Sequence, residues 1–279
     1  MNKILQFPLV RIIVAILFIG VGFIVAQLAL NVLRPAFGTT NTSLAQLLAF
    51  ILFMPATWFA YWMYVRSVEK RGMTELGFSN ALSEFGLGSL TGFGLFGFVM
   101  AILWLLGFYR VNGIDFTLLS LIGALLGALL SAFVQELIFR AVIYRITEEW
   151  LGTWWALAIS AILFGLIHLS TSGATIFSAV SIALQAGVLL AAAYALTHRL
   201  WLALGIHALW DFANDGIFGV GVAGQTGQAL HGLFQASLNG PDLFTGGALG
   251  VEASVVSLVV TLIAGIILLR KANRQGVLV

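Results

Sequence analysis

The amino-acid sequence predicts an all-α, polytopic membrane protein with about eight transmembrane helices. Three observations carry that expectation. Hydrophobic residues make up 61% of the 279 positions and charged residues only 9%, where a soluble domain carries about 25%. Mean hydropathy is +1.05. Apolar runs long enough to cross a hydrocarbon core recur along the whole chain. A water-soluble globule could not cover such a core with so few charges. The lack of cysteine excludes a disulfide framework, thiolate metal ligands and a cysteine nucleophile together. A net charge of +2 gives no dense basic face, so nucleic acid is not an expected partner.

The expected spans are 8–33, 44–65, 85–109, 117–147, 153–170, 175–197, 200–215 and 252–270. The first follows Lys3 and contains Arg11. It is too long for a signal h-region and no small-x-small site closes it, so it reads as a retained signal anchor. Orientation follows from the basic residues. An internal N-terminus puts Lys3, Arg11, Arg66, Lys70, Arg71, Arg145, Arg199, Arg270, Lys271 and Arg274 on the cytoplasmic side, and leaves Arg34 and Arg110 outside. Both termini are therefore expected in the cytoplasm. The third span is rich in glycine, which suits close helix packing better than phosphate binding. The seventh is short and polar. Residues 216–250 hold ten glycines and a Gly240-Pro241-Asp242 turn signal. Their scattered Phe and Leu residues argue for a re-entrant or interfacial flap rather than disorder.

Ionisable groups inside a membrane are costly, and each is a candidate functional residue. In the fourth span Glu136 and Arg140 stand at i and i+4 and share a helix face, where they can neutralise each other. Taken alone they read equally as an ion pair that locks packing. The fifth span places Phe164 and His168 on one face in the same way. Leu151-Gly152 is the expected turn between these spans. Glu136 lies sixteen residues before Gly152 and His168 sixteen after it, so both would sit about 24 Å from the turn in an antiparallel pair. The seventh span carries His207, Asp211 and Asp215 at i, i+4 and i+8, with Asn214 beside them. Gln185 is placed to hydrogen-bond between helices, and the roles of His231 and Glu252 stay open. An acid, two histidines and an Asp in a dry pocket suit hydrolysis: one pair activates water and a histidine stabilises the oxyanion. The same residue types could hold zinc. The His-Glu-x-x-His helix that marks zinc proteases is missing, and spacing alone leaves both routes open.

These motifs resemble the CAAX protease and bacteriocin-processing (CPBP, or Abi) family of intramembrane endopeptidases. The family's marks are a Glu-Glu-x-x-x-Arg helix, a Phe-x-x-x-His helix and a His-x-x-x-Asn/Asp helix. This chain shows Gln135-Glu136 to Arg140, Phe164 to His168 and His207 to Asp211, in the same order. The resemblance covers roughly residues 117–270. It makes 116–279 the protease core with its 216–250 loop, and leaves 1–115 as undiagnostic N-terminal helices. It implies an eight-helix fold and peptide hydrolysis by a glutamate-activated water, historically also described as metal-dependent. It implies position 135 as the water-activating acid with His168 as its partner. Glu136 would pair with Arg140, and His207 with Asp211 would stabilise the oxyanion.

The departure from the pattern is Gln135, since a neutral amide cannot accept a proton. Loss of a general base costs roughly 10²–10⁴-fold. A natural pseudoprotease, an engineered inactive form, or a site in which Glu136 takes over would each account for it. The expected protein is thus a membrane endopeptidase acting on a peptide or protein segment delivered in the bilayer, without a bound cofactor; zinc is compatible but not favoured. The rival expectations are a non-catalytic peptide-binding scaffold or immunity factor, and a proton-coupled carrier. The carrier would need a hydropathy repeat that the chain lacks.

Overall fold

The computed structural model describes residues 3–37, 42–221 and 232–279, and loop residue His231 lies outside them. Helix α1 spans Pro8–Leu33, with proline at its first turn where no backbone N–H is needed. Helix α2 spans Thr42–Tyr64 and widens into a π turn over Val65–Glu69. Helix α3 spans Ala81–Leu105. It is followed by strand β1, Tyr109–Ile114. Helix α4 runs over Leu118–Leu151, opened by a capping box between Thr117 and Ser120 and π-helical over Leu137–Tyr144. Helix α5 runs over Thr153–Ser170 and α6 over Ile176–Thr197, the latter capped by Thr175 and Ser178. Helix α7 spans Leu200–Phe212 and continues as a π turn, Ala213–Ile217. Strand β2 is Phe234–Leu238 and the last helix, α8, is Val255–Arg274.

Seven of the described helices are long and apolar enough to cross a membrane. Helix α7 falls short because it carries His207, Asp211, Asn214 and Asp215, yet it runs between the same two ends as its neighbours. At one end Trp201 donates to the Gly77 carbonyl; at the other Tyr109 donates to that of Phe218. The protein is an all-α integral membrane protein of the multi-pass type. Its outward side chains are apolar, among them Leu17, Val21, Ile24 and Leu28 of α1, as a lipid solvent requires.

Two sequence expectations shift. The third span begins four residues earlier than expected, at Ala81, because Asn80 takes a left-handed conformation and Glu84 is tied to Arg199 at that end. It ends before Gly107, whose φ of +77° turns the chain into β1. The described part of the long 216–250 loop contains a strand, and β2 pairs antiparallel with β1. An aromatic-rich two-stranded ribbon therefore caps the end of the bundle remote from the termini. The turn expected at Leu151-Gly152 is present, with Gly152 at φ +83°.

Close approach organises the bundle. A Cβ on Gly88 or Gly92 of α3 would fall 2.3 Å or 2.1 Å from the α7 carbonyls of Leu202 and Ile206. Only glycine lets these backbones meet. Helix α7 is thereby clamped between α3 and α4. At the end holding the termini, Glu69 accepts from Arg11 at 2.6 Å, Arg71 at 2.6 Å, and Arg145 at 2.8 Å. Glu75, 1% exposed, is held by Arg71 at 2.7 Å and by Tyr61. Burial works to raise the Glu75 carboxyl, but the hydrogen bonds and charge of Arg71, with the charge of Arg145, outweigh it and hold the group below its ordinary 4.5. This network joins α1, α2, their connector to α3, and α4. The backbone N–H of Thr153 donates to the Val279 carbonyl, and Phe7 stacks edge-on to Trp150. Both termini thus lie at one end of the bundle, as an even number of crossings requires.

Candidate active site

The polar residues of α4, α5 and α7 converge on a cavity of about 260 Å³. Gln135, Phe164, His168, His207 and Asp211 all line it. The seam is set by small residues: a Cβ on Gly165 of α5 would lie 2.3 Å from the Ala179 carbonyl, and one on Gly187 2.8 Å from Ala161 Cα. Three π-helical stretches flank the site, in α4, in α6 over Ala183–Gly187, and in α7. Such widened turns release backbone carbonyls from the helical ladder and are common at functional sites.

Glu136 and Arg140 are both fully buried and 3.2 Å apart, the i,i+4 pair that the spacing predicts. Arg140 also donates to the carbonyls of Ala186 at 3.4 Å and Gly187 at 3.2 Å in the widened stretch of α6. Its guanidinium lies 4.7 Å from the centroid of Phe164, a cation–π contact. Glu136 does not line the cavity. Its Oε1 lies 2.8 Å from His207 Nδ1, behind the imidazole. A carboxylate flanked by Arg140 accepts there, so Nδ1 carries the proton and Nε2 turns toward Asp211, 3.6 Å away. Glu136 is therefore placed to orient His207, not to touch a molecule in the cavity.

His168 is oriented by its own helix. Its Nδ1 is 2.8 Å from the Phe164 carbonyl. A carbonyl only accepts, so Nδ1 is the protonated nitrogen and the Nε2 lone pair is free. The Phe164 ring stands 5.2 Å from the His168 ring and 5.8 Å from that of His207, an apolar spacer between the two imidazoles. Gln135 donates through Nε2 to Ser131 Oγ at 2.9 Å. Its Oε1 is buried without a partner.

The cavity holds more than the motifs contain. Asn214, Asp215, Gln185 and Glu252 line it as well. Gln185 bonds across to the Glu252 carbonyl, the interhelical role its position suggests. Glu252 was legible only as a lone acid at the head of an apolar span; the signal was its cost inside a membrane. Among the described residues no three His, Asp or Glu side chains are grouped to hold a metal ion.

Residues 116–213 match the family model of type II CAAX prenyl endopeptidase Rce1-like proteins. No curated protein and no solved structure matches the chain. The matched segment contains every motif residue from Gln135 to Asp211 and ends before Asn214, Asp215 and Glu252. Over residues 116–213, the segment that carries its site, the chain is similar to the Rce1-like CAAX proteases.

Proposed function

We propose that this protein is an intramembrane endopeptidase whose cavity receives a membrane-delivered peptide segment, and that Gln135 holds its hydrolytic power low. The observation that carries this reading is the placing of Gln135 on the cavity wall with His168, His207 and Asp211, while the remaining glutamate is turned away behind His207. In the proposed reaction a water lies between residue 135 and His168. Its oxygen attacks the scissile carbonyl carbon as its proton passes to the base. The same proton then goes to the leaving amide nitrogen as the C–N bond breaks. His207, held at Nδ1 by Glu136, takes a second proton at Nε2 beside Asp211 and donates that N–H to the oxyanion. With Gln135 present, the amide can accept a hydrogen bond from the water but not its proton, and His168 Nε2 is left as the one base.

The test compares cleavage of a quenched peptide library by the native chain and by Gln135→Glu, with His168→Ala in each background. Gln135→Glu is expected to raise turnover by roughly 10²–10⁴-fold, with His168→Ala abolishing the gain and chelators having no effect. An inactive Gln135→Glu protein that is properly folded would sink the protease reading. Loss to a chelator with recovery on adding zinc would overturn the metal-free route. A second reading, peptide binding without hydrolysis, is favoured by the same amide. Peptide affinity that survives both His168→Ala and His207→Ala, with no cleavage in any variant, would establish it.

A further inference from the structure

One wall of the cavity presents a set of hydrogen-bond acceptors. Asp211 comes from α7, Asn214 and Asp215 from the π turn that continues it, and Glu252 from the approach to α8. Among the described residues no lysine or arginine lines the cavity. Arg140 is spent on Glu136 and two carbonyls. His207 faces Asp211, which leaves Asp215 and Glu252 as two carboxylates with no cationic side chain on the wall. Such a grouping is costly inside a membrane unless a positive charge joins it.

Asn214 is the independent sign that something does. It is only 4% exposed, and its Nδ2 donates to Glu252 Oε1 at 3.2 Å. That carboxylate accepts only, so the orientation of the amide is fixed and Oδ1 must point elsewhere. Oδ1 is buried and has no partner. A buried amide oxygen with no donor forfeits a hydrogen bond, and it belongs to a residue that lines the cavity. Gln135 Oε1 repeats the pattern on the facing helix. Glu252 itself is fixed from two sides, by Asn214 at its carboxylate and by Gln185 at its backbone carbonyl. Among the described residues the unpartnered buried atoms of cavity-lining side chains, Asn214 Oδ1 and Gln135 Oε1, are both acceptors, and it is a multiple donor with positive charge that would satisfy them.

We propose that Asp215, Asn214 Oδ1 and Glu252 form a subsite for a cationic nitrogen of the peptide, an ammonium or guanidinium group. This rests on the reading that the cavity receives a peptide. A lysine or arginine side chain and a free amino terminus share the chemistry. About 260 Å³ accommodates one such group beside the reacting bond, not a folded partner. The subsite lies beyond the segment matched by the family model, so it would distinguish this chain's substrates by charge while the hydrolytic residues stay the same.

The experiment uses the full chain in nanodiscs and fluorescein-labelled octapeptides, acetylated and amidated, with one position occupied in turn by Lys, Arg, norleucine or Glu. A parallel set carries a free amino terminus. Anisotropy should show the Lys or Arg peptide, or else the free-amine set, binding about tenfold tighter than its neutral isostere, as a desolvated charged hydrogen bond implies. Glu252→Gln keeps the shape and the Asn214 contact, and should reduce that ratio to about threefold or less; Glu252→Lys should favour the Glu peptide. Should Glu252→Gln fail to fold, Asp215→Asn carries the same expectation. Equal binding of charged and neutral peptides by the native chain, no binding of any peptide, or a ratio unmoved by both neutral variants would overturn the subsite. Cleavage separates the two proposals. A Gln135→Glu enzyme that cuts without charge preference leaves the protease standing and removes the subsite. Charge-selective binding with no cleavage does the reverse.

Discussion

The side chain of Glu136 joins two jobs in one carboxylate. Its Oε1 serves both Arg140, at 3.2 Å, and His207, at 2.8 Å, so it neutralises a buried cation and sets the tautomer of an imidazole at once. Glu136→Gln should therefore cost stability as well as function. Breaking a buried ion pair from one side costs about 3–5 kcal/mol, and Arg140, fully buried, keeps two carbonyls and the face of Phe164 but no counter-charge. The expected result is a clear drop in thermal midpoint in detergent. The double variant Glu136→Gln/Arg140→Met should lose less than Glu136→Gln alone, because no unpaired charge remains. A Glu136→Gln protein as stable as the native chain would show that the pair contributes nothing. The i,i+4 pair was legible from the sequence because helix geometry alone brings the residues together. The His207 contact was not, since 71 positions separate the partners.

At the scale of elements, the position of His207 depends on how closely α7 can approach α3. The Gly92 Cα faces the Ile206 carbonyl, and a methyl there would sit 2.1 Å from its oxygen. Gly92→Ala must push the helices apart, at about 1–3 kcal/mol by analogy with overpacked cores, and it displaces the residue before His207. Gly94 is two residues on, and a Cβ there meets nothing within 4 Å. Gly94→Ala should be neutral or slightly stabilising, as an alanine in an open helix position is. Peptide affinity and thermal midpoint read both variants; equal behaviour would show that the α3–α7 approach does not govern the site. The sequence showed glycine-rich spans and implied close packing, but both glycines lie in the same run. Which one meets a neighbour depends on the rotation of α3 within the bundle, which apolar residues on every face leave unmarked.

Across the whole molecule, the charged network at the end holding the termini ties together elements that touch little elsewhere. Glu75 is the part of it that lies between spans. Its folded pKa is depressed, so its contribution is present above its ordinary value of 4.5 and is lost as pH falls through the lower, folded value. Stability should therefore decline on acidification below about pH 4.5, and Glu75→Gln should flatten the decline relative to the native chain while lowering the midpoint at neutral pH. Parallel melting curves for the two proteins between pH 7 and pH 3 check this. Identical acid dependence would remove Glu75 from the clasp. Only the contacts of Arg71, with Glu75 at i,i+4 and with Glu69 two residues away, are local in sequence. The others bring Arg11, Glu69 and Arg145 together from three separate helices.

The sequence by itself determined the class of this protein and most of its spans, and it supplied the motif residues proposed for its site. Hydropathy measures transfer into lipid, and that free energy depends on composition and run length rather than on partners. The order of Gln135, Glu136, Arg140, Phe164, His168, His207 and Asp211 was likewise legible, because each motif sits within about one helical turn. Only the tertiary structure decided which of two adjacent side chains faces the cavity. Gln135 and Glu136 point about 100° apart, and the assignment turned on whether α7 or the cavity lay on a given side of α4. It decided too that Glu252 and Asn214 meet across the bundle, and that β1 and β2 pair over its end. These contacts depend on helix rotation and on π-helical widening, which change the phase of a helix without changing its hydropathy.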